Sequence, residues 1–234
     1  RCRPEYIALA DDGKDLGAYV SPYDGGIRYT DDKIAELISA LNQRGMLENT
    51  VIIVTADHGE AFLDHGQWTH GGTLYNEEIS VPLVVWREGM TPRVVERLVS
   101  TLDIFPTILD LAGIPLPPSD GESLVHLLKG QDEAYRRNAA VSERGTGAGP
   151  ERAVVQAGWK LIVPPADGPR LLFDLSADPK ETVNRFAAET IRATGLSKTL
   201  ADVSGSTNSV AFRAKSAPVS PELRKQLEAL GYAK

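Results

Sequence analysis

The chain has 234 residues, of which 42% are hydrophobic and 24% are charged, enough to bury a sizeable core and to exclude a largely disordered protein. Its formal net charge of −7 argues against a nucleic-acid-binding surface. No apolar run in the sequence has the length of a transmembrane segment, and a single cysteine excludes an intrachain disulfide.

A helix and a strand are the first predicted elements. Ser21 followed by Pro22 is typical of a helix start, and apolar residues at helical spacing continue to about Arg44. Gly45 is expected to end this helix. A short apolar run then predicts a buried strand over residues 51–56. The helix-to-strand order favours a doubly wound α/β sheet.

Acidic residues and histidines follow this strand directly. Asp57, His58 and Gly59 come first, and His65 and His70 lie within twelve residues of His58. Ligands of open α/β sheets gather at the carboxyl ends of parallel strands, and a carboxylate beside an imidazole can hold a metal ion. Asp57 and His58 are therefore predicted metal ligands, with a plain turn as the alternative. Because glycines beside His70 permit close backbone approach, His70 is a further candidate site residue, as is His65.

The elements after this cluster include both helices and strands. A second buried strand is expected over residues 81–86, followed by a short helix over 93–99. A helix capped by Ser100 or Thr101 should then run to Leu111.

The last hundred residues predict a smaller unit. Short β-like runs separated by Gly-rich and Pro-rich turns occur at residues 139–142, 152–156, 159–163 and 171–174. Ala157-Gly158 is the tightest connection and predicts a hairpin. A helical piece is expected near residues 185–192, and a terminal helix from Ser220 to Leu230. We therefore expect an α/β domain over residues 1–137 that carries the metal-site loop, and a small α+β subdomain over 138–234.

These motifs resemble the sulfatase family of the alkaline-phosphatase-like superfamily. Matching stretches run in the same order over residues 49–60, 64–66, 72–83, 99–114, 120–124, 172–175 and 178–181. The resemblance implies part of an alkaline-phosphatase-like doubly wound sheet, followed by a small C-terminal antiparallel β subdomain with a terminal helix. It also implies a sulfuric ester hydrolase that cleaves a small-molecule or glycan sulfate ester with the help of a divalent metal.

The resemblance also assigns roles to individual residues. Asp57 and His58 match a pair of metal-ligand positions, where the ion is usually Ca²⁺; imidazole also suits Mn²⁺ or Zn²⁺. His70 aligns with a position where many sulfatases place a lysine that touches the sulfate. A histidine there can bind substrate or protonate a leaving oxygen as a catalytic acid, while His65 is a candidate for substrate contact. The histidine leaves a phosphoesterase or phosphonate monoester hydrolase open as the alternative activity.

Two family features are not in this sequence. Sulfatases carry a C/S-x-P-S-R motif, whose first residue becomes formylglycine, and an Asp-Asp metal pair upstream of the metal strand. Cys2-Arg3-Pro4 begins like the first motif, but Glu5-Tyr6 replaces Ser-Arg. We therefore expect the C-terminal part of a longer enzyme, without the nucleophile and inactive alone; a non-catalytic binding module is the other interpretation. The sequence leaves the compartment open, and the resemblance allows a periplasmic or secreted location.

Overall fold

The computed structural model describes residues 16–145, 149–165, 168–205, 220, 221 and 225. These residues divide into two compact units, one containing residues 16–46 and the other residues 47–205. The domain boundary predicted after residue 137 stays a prediction. The terminal helix predicted to end at Leu230 lies almost wholly outside the described residues.

The first unit contains one long helix, α1, over Leu16–Gln43. It starts earlier than predicted, so Pro22 lies inside the helix and not at its first position. Proline has no backbone N–H to donate to the carbonyl four residues earlier, so the helix forms here with one backbone hydrogen bond fewer. The predicted end is confirmed, because Gly45 takes the left-handed backbone conformation at φ 64° that closes a helix.

The second unit alternates short helices with short strands. Its strands are β1 (Val51–Thr55), β2 (Leu83–Arg87), β3 (Ala139–Arg144), β4 (Glu151–Gln156), β5 (Trp159–Val163) and β6 (Leu171–Asp174). Its α-helices are α2 (Asn76–Ile79), α3 (Ile104–Leu111), α4 (Val125–Leu128) and α5 (Thr190–Gly205). Short 3₁₀ turns precede β1 at Leu47–Asn49 and α3 at Thr101–Asp103.

Strands β1 and β2 form a two-stranded antiparallel sheet. Thr55 at the end of β1 pairs with Leu83 at the start of β2. The expectation that β1 runs parallel to its neighbour is wrong for this pair, and no parallel partner occurs among the described residues. The chain between the two strands returns as one long hairpin, which we call the histidine loop (residues 56–82).

Strands β3 to β6 form the predicted antiparallel sheet, in the order β3-β4-β5-β6. The predicted hairpin is confirmed: β4 and β5 are joined by Ala157 and Gly158, at φ 50° and 77°. Positive φ at both central residues gives the turn whose twist matches the flanking strands. Strand β3 lies at the edge of this sheet, where β4 is its one partner among the described strands.

The two faces of this sheet are covered by different elements. On one face Val154, Leu161 and Leu172 pack against apolar residues of α5, which begins later than the helical piece predicted near residues 185–192. On the other face Ile162 and Phe173 pack against Leu74 of the histidine loop. The small sheet therefore supports the histidine loop directly, and it shares a hydrophobic core with it.

Residues 93–99 do not form the predicted helix. Two arginine side chains from this segment instead bind carbonyl groups of later residues: Arg93 donates to Leu127, and Arg97 donates to Tyr135. These long-range bonds and the packing of Val95 and Val99 on a third apolar cluster outweigh the helical pattern. Among the described residues, no helix combines the length and apolar character needed to cross a membrane.

Candidate functional site

Three of the predicted site residues lie around one cavity. Asp57, His58 and His70 from the histidine loop line a depression of about 380 Å³, together with the end of the edge strand β3. His65 does not line this cavity; it lines a separate one beside β6. The structure therefore brings the two predicted metal ligands and His70 together and leaves His65 apart.

Asp57 and His58 are oriented by the backbone around them. The Asp57 carboxylate accepts a hydrogen bond from the His58 backbone N–H at 3.0 Å. The His58 ring nitrogen Nδ1 lies 2.8 Å from the carbonyl oxygen of Gly59. A carbonyl can only accept, so Nδ1 carries the proton and Nε2 presents its lone pair. This is the arrangement that a metal-binding imidazole requires.

His70 is held against His58 by ring stacking and by a carboxylate. The two imidazole rings stack with centroids 4.0 Å apart. Nδ1 of His70 lies 3.0 Å from Oε2 of Glu60, whose side chain is only 9% exposed. Because the carboxylate accepts the Nδ1 proton, Nε2 of His70 is left to meet a ligand. Glu60 thus fixes the orientation of His70.

A second buried carboxylate organises the turn after His70. Glu78 is 4% exposed and accepts hydrogen bonds from the backbone N–H groups of Gly71 and Thr73 and from the Thr73 hydroxyl. Buried carboxylates need such donors, and here they hold residues 71–73 in one conformation. Glu60 and Glu78 are positioning residues. The sequence leaves both open as residues around the site or on the surface, and it does not indicate their partners, which lie at least five residues away.

Gly59 is required by a close backbone approach. Its N–H donates to the carbonyl of Glu78 at 2.8 Å, so the start and end of the histidine loop touch. A Cβ atom at this position would stand 1.9 Å from the carbonyl oxygen of Glu77. Since that obstacle is backbone, a larger residue must displace one side of the loop.

We expect Gly59→Ala to lower the free energy of unfolding by about 1–3 kcal/mol, the usual cost of forcing extra volume into a packed site. Gly195→Ala is the matched control, because Gly195 lies in α5 with open space around it and alanine favours a helix by up to about 1 kcal/mol. Urea denaturation of both variants measures the difference. Equal stabilities for Gly59→Ala and the wild type would contradict this close approach.

His65 is part of a polar network that anchors the histidine loop to the small sheet. Its Nδ1 lies 2.7 Å from Glu77, its Nε2 lies 3.2 Å from the carbonyl of Glu181, and its ring stacks on Tyr75 at 3.6 Å. Nearby, the buried Lys160 ammonium is 2.8 Å from the Glu181 carboxylate. Substrate contact by His65 stays a prediction, while its contacts here are structural.

The contacts of His65 predict a pH dependence of stability. Burial lowers the pKa of His65, but the hydrogen bonds to Glu77 and the Glu181 carbonyl raise it by more than burial lowers it. The pKa therefore lies above its ordinary value. A raised pKa stabilises the fold below the ordinary pKa of about 6.5, and this contribution disappears as the pH rises through the folded-state value.

The stability difference between the wild type and His65→Gln should therefore shrink from about pH 5.5 to about pH 8.5. Urea denaturation at the two pH values measures it. In a Glu77→Gln background the same comparison should lose most of its pH dependence, because Glu77 supplies the carboxylate that pairs with the charged ring. A difference that grows with pH would contradict the assignment.

Asp57 and His58 fit a divalent cation as part of its ligand set. Oδ2 of Asp57 and Nε2 of His58 are 3.8 Å apart, too far for a hydrogen bond. Both atoms can nevertheless reach one cation at bond lengths of about 2.0–2.6 Å. No cluster of three or more histidine, cysteine or acidic ligands occurs in the part of the chain that the structure describes. A complete coordination shell therefore needs donors besides this pair.

Comparison with known proteins identifies the family. Residues 3–114 match the sequence pattern of the Sulfatase family, and residues 64–204 match the family described as N-sulphoglucosamine sulphohydrolase, C-terminal. The chain is 37% identical to arylsulfatase K of Mus musculus over 168 residues, which cover 66% of this chain and 30% of that protein. It is 35% identical to the choline-sulfatase of Rhizobium meliloti, over 69% of this chain and 32% of that protein.

A solved structure shares the fold. The phosphonate monoester hydrolase of Agrobacterium radiobacter superposes with a TM-score of 0.73 at 28% sequence identity, over 82% of this chain and 42% of that one. This likeness confirms the predicted fold class, part of an alkaline-phosphatase-like α/β fold with a small antiparallel subdomain. The chain spans about a third of the length of the curated relatives it matches. Both family patterns, together with these relatives, establish that the chain belongs to the sulfatase family.

Proposed function

We propose that this chain supplies part of the metal site and the acid-base residue of a sulfuric ester hydrolase. The observation that carries the proposal is the convergence of Asp57, His58 and His70 on one cavity, with both imidazoles fixed by partners on their Nδ1 side. A non-catalytic binding module would not require two imidazoles presented in this way.

In this proposal Asp57 and His58 hold a divalent ion, which we assign as Ca²⁺, with Mn²⁺ and Zn²⁺ as the alternatives that imidazole ligation favours. When bound, the ion neutralises the charge of the sulfate group and lowers the barrier by several kcal/mol. His70 is oriented by Glu60, which accepts the Nδ1 proton. In its imidazolium form His70 carries a second proton on Nε2, and that proton can be donated to the leaving oxygen or can hydrogen-bond the sulfate. The nucleophile, expected to be formylglycine, is not supplied by these residues.

The substrate class follows from the relatives. One is named an arylsulfatase and another a choline-sulfatase. These names indicate aryl sulfates and choline sulfate as the substrates of those two proteins. We propose a small-molecule or glycan sulfate ester as the substrate. Hydrolysis of a phosphonate monoester is the second candidate, favoured by the structural likeness to the Agrobacterium radiobacter enzyme and by a histidine at the position of residue 70.

Initial rates on 4-nitrophenyl sulfate and on 4-nitrophenyl phenylphosphonate test the proposal. The protein at its full encoded length, stripped with a chelator and reloaded with Ca²⁺, Mn²⁺ or Zn²⁺, should hydrolyse the sulfate ester faster. Faster hydrolysis of the phosphonate would favour the second candidate, and hydrolysis of neither ester would favour the binding module. The 234 residues alone should be inactive. Turnover by them that is lost in Asp57→Ala would contradict the expectation that they lack the nucleophile.

A further inference from the structure

An arginine of strand β3, Arg144, lies at the candidate functional site. Residues 141–144 line the cavity that is also lined by Asp57, His58 and His70. The last four residues of the edge strand and the histidine loop therefore border the same cavity. Arg144 is the one lysine or arginine among the described residues that line this cavity. The sequence did not indicate it, because it lies 74 residues after His70 and on a different sheet.

The guanidinium of Arg144 is held by two contacts, one at Nε and one at Nη1. Its Nε donates to the Glu151 carboxylate at 3.0 Å, across the β3–β4 pair. Its Nη1 lies 3.4 Å from the carbonyl oxygen of Gly71, next to His70 in the chain. The side chain keeps 38% of its surface exposed, and its Nη2 has no partner among the described residues. Each Nη group carries two N–H donors, so the second N–H of Nη1 and an N–H of Nη2 can together bind one oxyanion.

The carboxylates around the cavity have other partners. Glu78 accepts three hydrogen bonds within the histidine loop, and Glu143 pairs with Arg152 at 2.6 Å. Asp57 belongs to the proposed metal site. Thus a ligand oxyanion near Arg144 would not have to displace any of these carboxylates.

We propose that Arg144 binds a second oxyanion of the substrate, a carboxylate or further sulfate on the part that leaves the ester. This inference rests on the proposed function. It narrows the substrate class from sulfate esters in general to esters of acidic compounds, such as acidic sugars, and away from cationic ones. The metal site and Arg144 then act as two separate anion-binding points that line one cavity.

Binding of non-hydrolysable sulfonates tests the second anion-binding point without requiring turnover. The probes are 3- and 4-sulfobenzoate, each with two oxyanions, and benzenesulfonate, with one. Isothermal titration calorimetry in Ca²⁺ should show at least one sulfobenzoate binding the wild-type protein about tenfold tighter, the lower range for a charge-assisted hydrogen bond. In Arg144→Gln the affinities for the three probes should agree within about twofold.

The control variant is Arg87→Gln, which removes an exposed arginine of β2 that does not line this cavity. It should keep the wild-type preference. The proposal is overturned if wild type shows no preference, binds none of the probes, or keeps its preference in Arg144→Gln. It is also overturned if Arg144→Gln weakens all three probes equally, as contact with the ester sulfate would do. Failure of the proposed function would appear separately, as sulfonate discrimination without hydrolysis of any sulfate ester.

Discussion

In the protein at its full encoded length, Asp57→Ala is expected to reduce kcat/KM for 4-nitrophenyl sulfate by about a thousandfold or more. The Asp57 carboxylate is one of two donors at the proposed metal site among the described residues, and its removal leaves only His58 among them. Metal stabilisation of the transition state is worth several kcal/mol, and each 1.4 kcal/mol corresponds to about a tenfold rate change.

The matched control is Asp64→Ala, in the same loop but with an exposed side chain that does not line the Asp57 cavity. Its kcat/KM should stay within about twofold of the wild type, since surface changes away from a site rarely matter. Both variants should unfold at the wild-type temperature. If Asp57→Ala retains more than about a tenth of wild-type activity, this residue does not hold a catalytic metal.

The largest expected effect on stability comes from Asp103. This carboxylate is fully buried and forms a bidentate ion pair with Arg137. It also accepts hydrogen bonds from the backbone of Ser100 and Glu122 and from the Tyr135 hydroxyl. Asp103 thereby joins the start of α3, the turn at residue 122 and the segment that leads into β3. Its removal leaves several buried donors without a partner.

We expect Asp103→Asn to lower the free energy of unfolding by about 3–5 kcal/mol, the usual result of removing one member of a buried ion pair. Asp110→Asn, in the helix α3 that follows Asp103, is the control; its exposed side chain accepts one hydrogen bond from Ser123, so about 1 kcal/mol is expected. Arg137→Met combined with Asp103→Asn should cost less than the sum of the single changes. A loss below about 1 kcal/mol for Asp103→Asn would contradict this account.

Local patterns predicted the small sheet well. Trp159–Val163 and Leu171–Asp174 form strands at the predicted positions, and Ala157-Gly158 forms the predicted turn. These features depend on side-chain alternation and on turn chemistry, which are both local. The helix expected at residues 93–99 failed, because Arg93 and Arg97 satisfy carbonyl groups more than thirty residues away. Contacts at that separation leave no mark in a short window of sequence.

The sequence predicted those candidate site residues that belong to one short motif. Asp57, His58 and His70 were found because they follow a strand and cluster in the sequence, and they line one cavity. The contacts around them were not predicted. Glu60 lies two residues after His58 in the sequence, and only the fold places its carboxylate against His70. Arg144, which lines the same cavity, comes from a strand of the other sheet. Only tertiary structure reveals such partners.

The most direct test of the metal-site proposal is to locate a bound cation. Crystals of the protein at its full encoded length, soaked in Mn²⁺, should give an anomalous difference peak within about 2.0–2.6 Å of an Asp57 carboxylate oxygen and of Nε2 of His58. The peak should vanish in Asp57→Ala crystals soaked in the same way. A peak elsewhere, or none near these two side chains in well-ordered wild-type crystals, would contradict a metal centre at this loop.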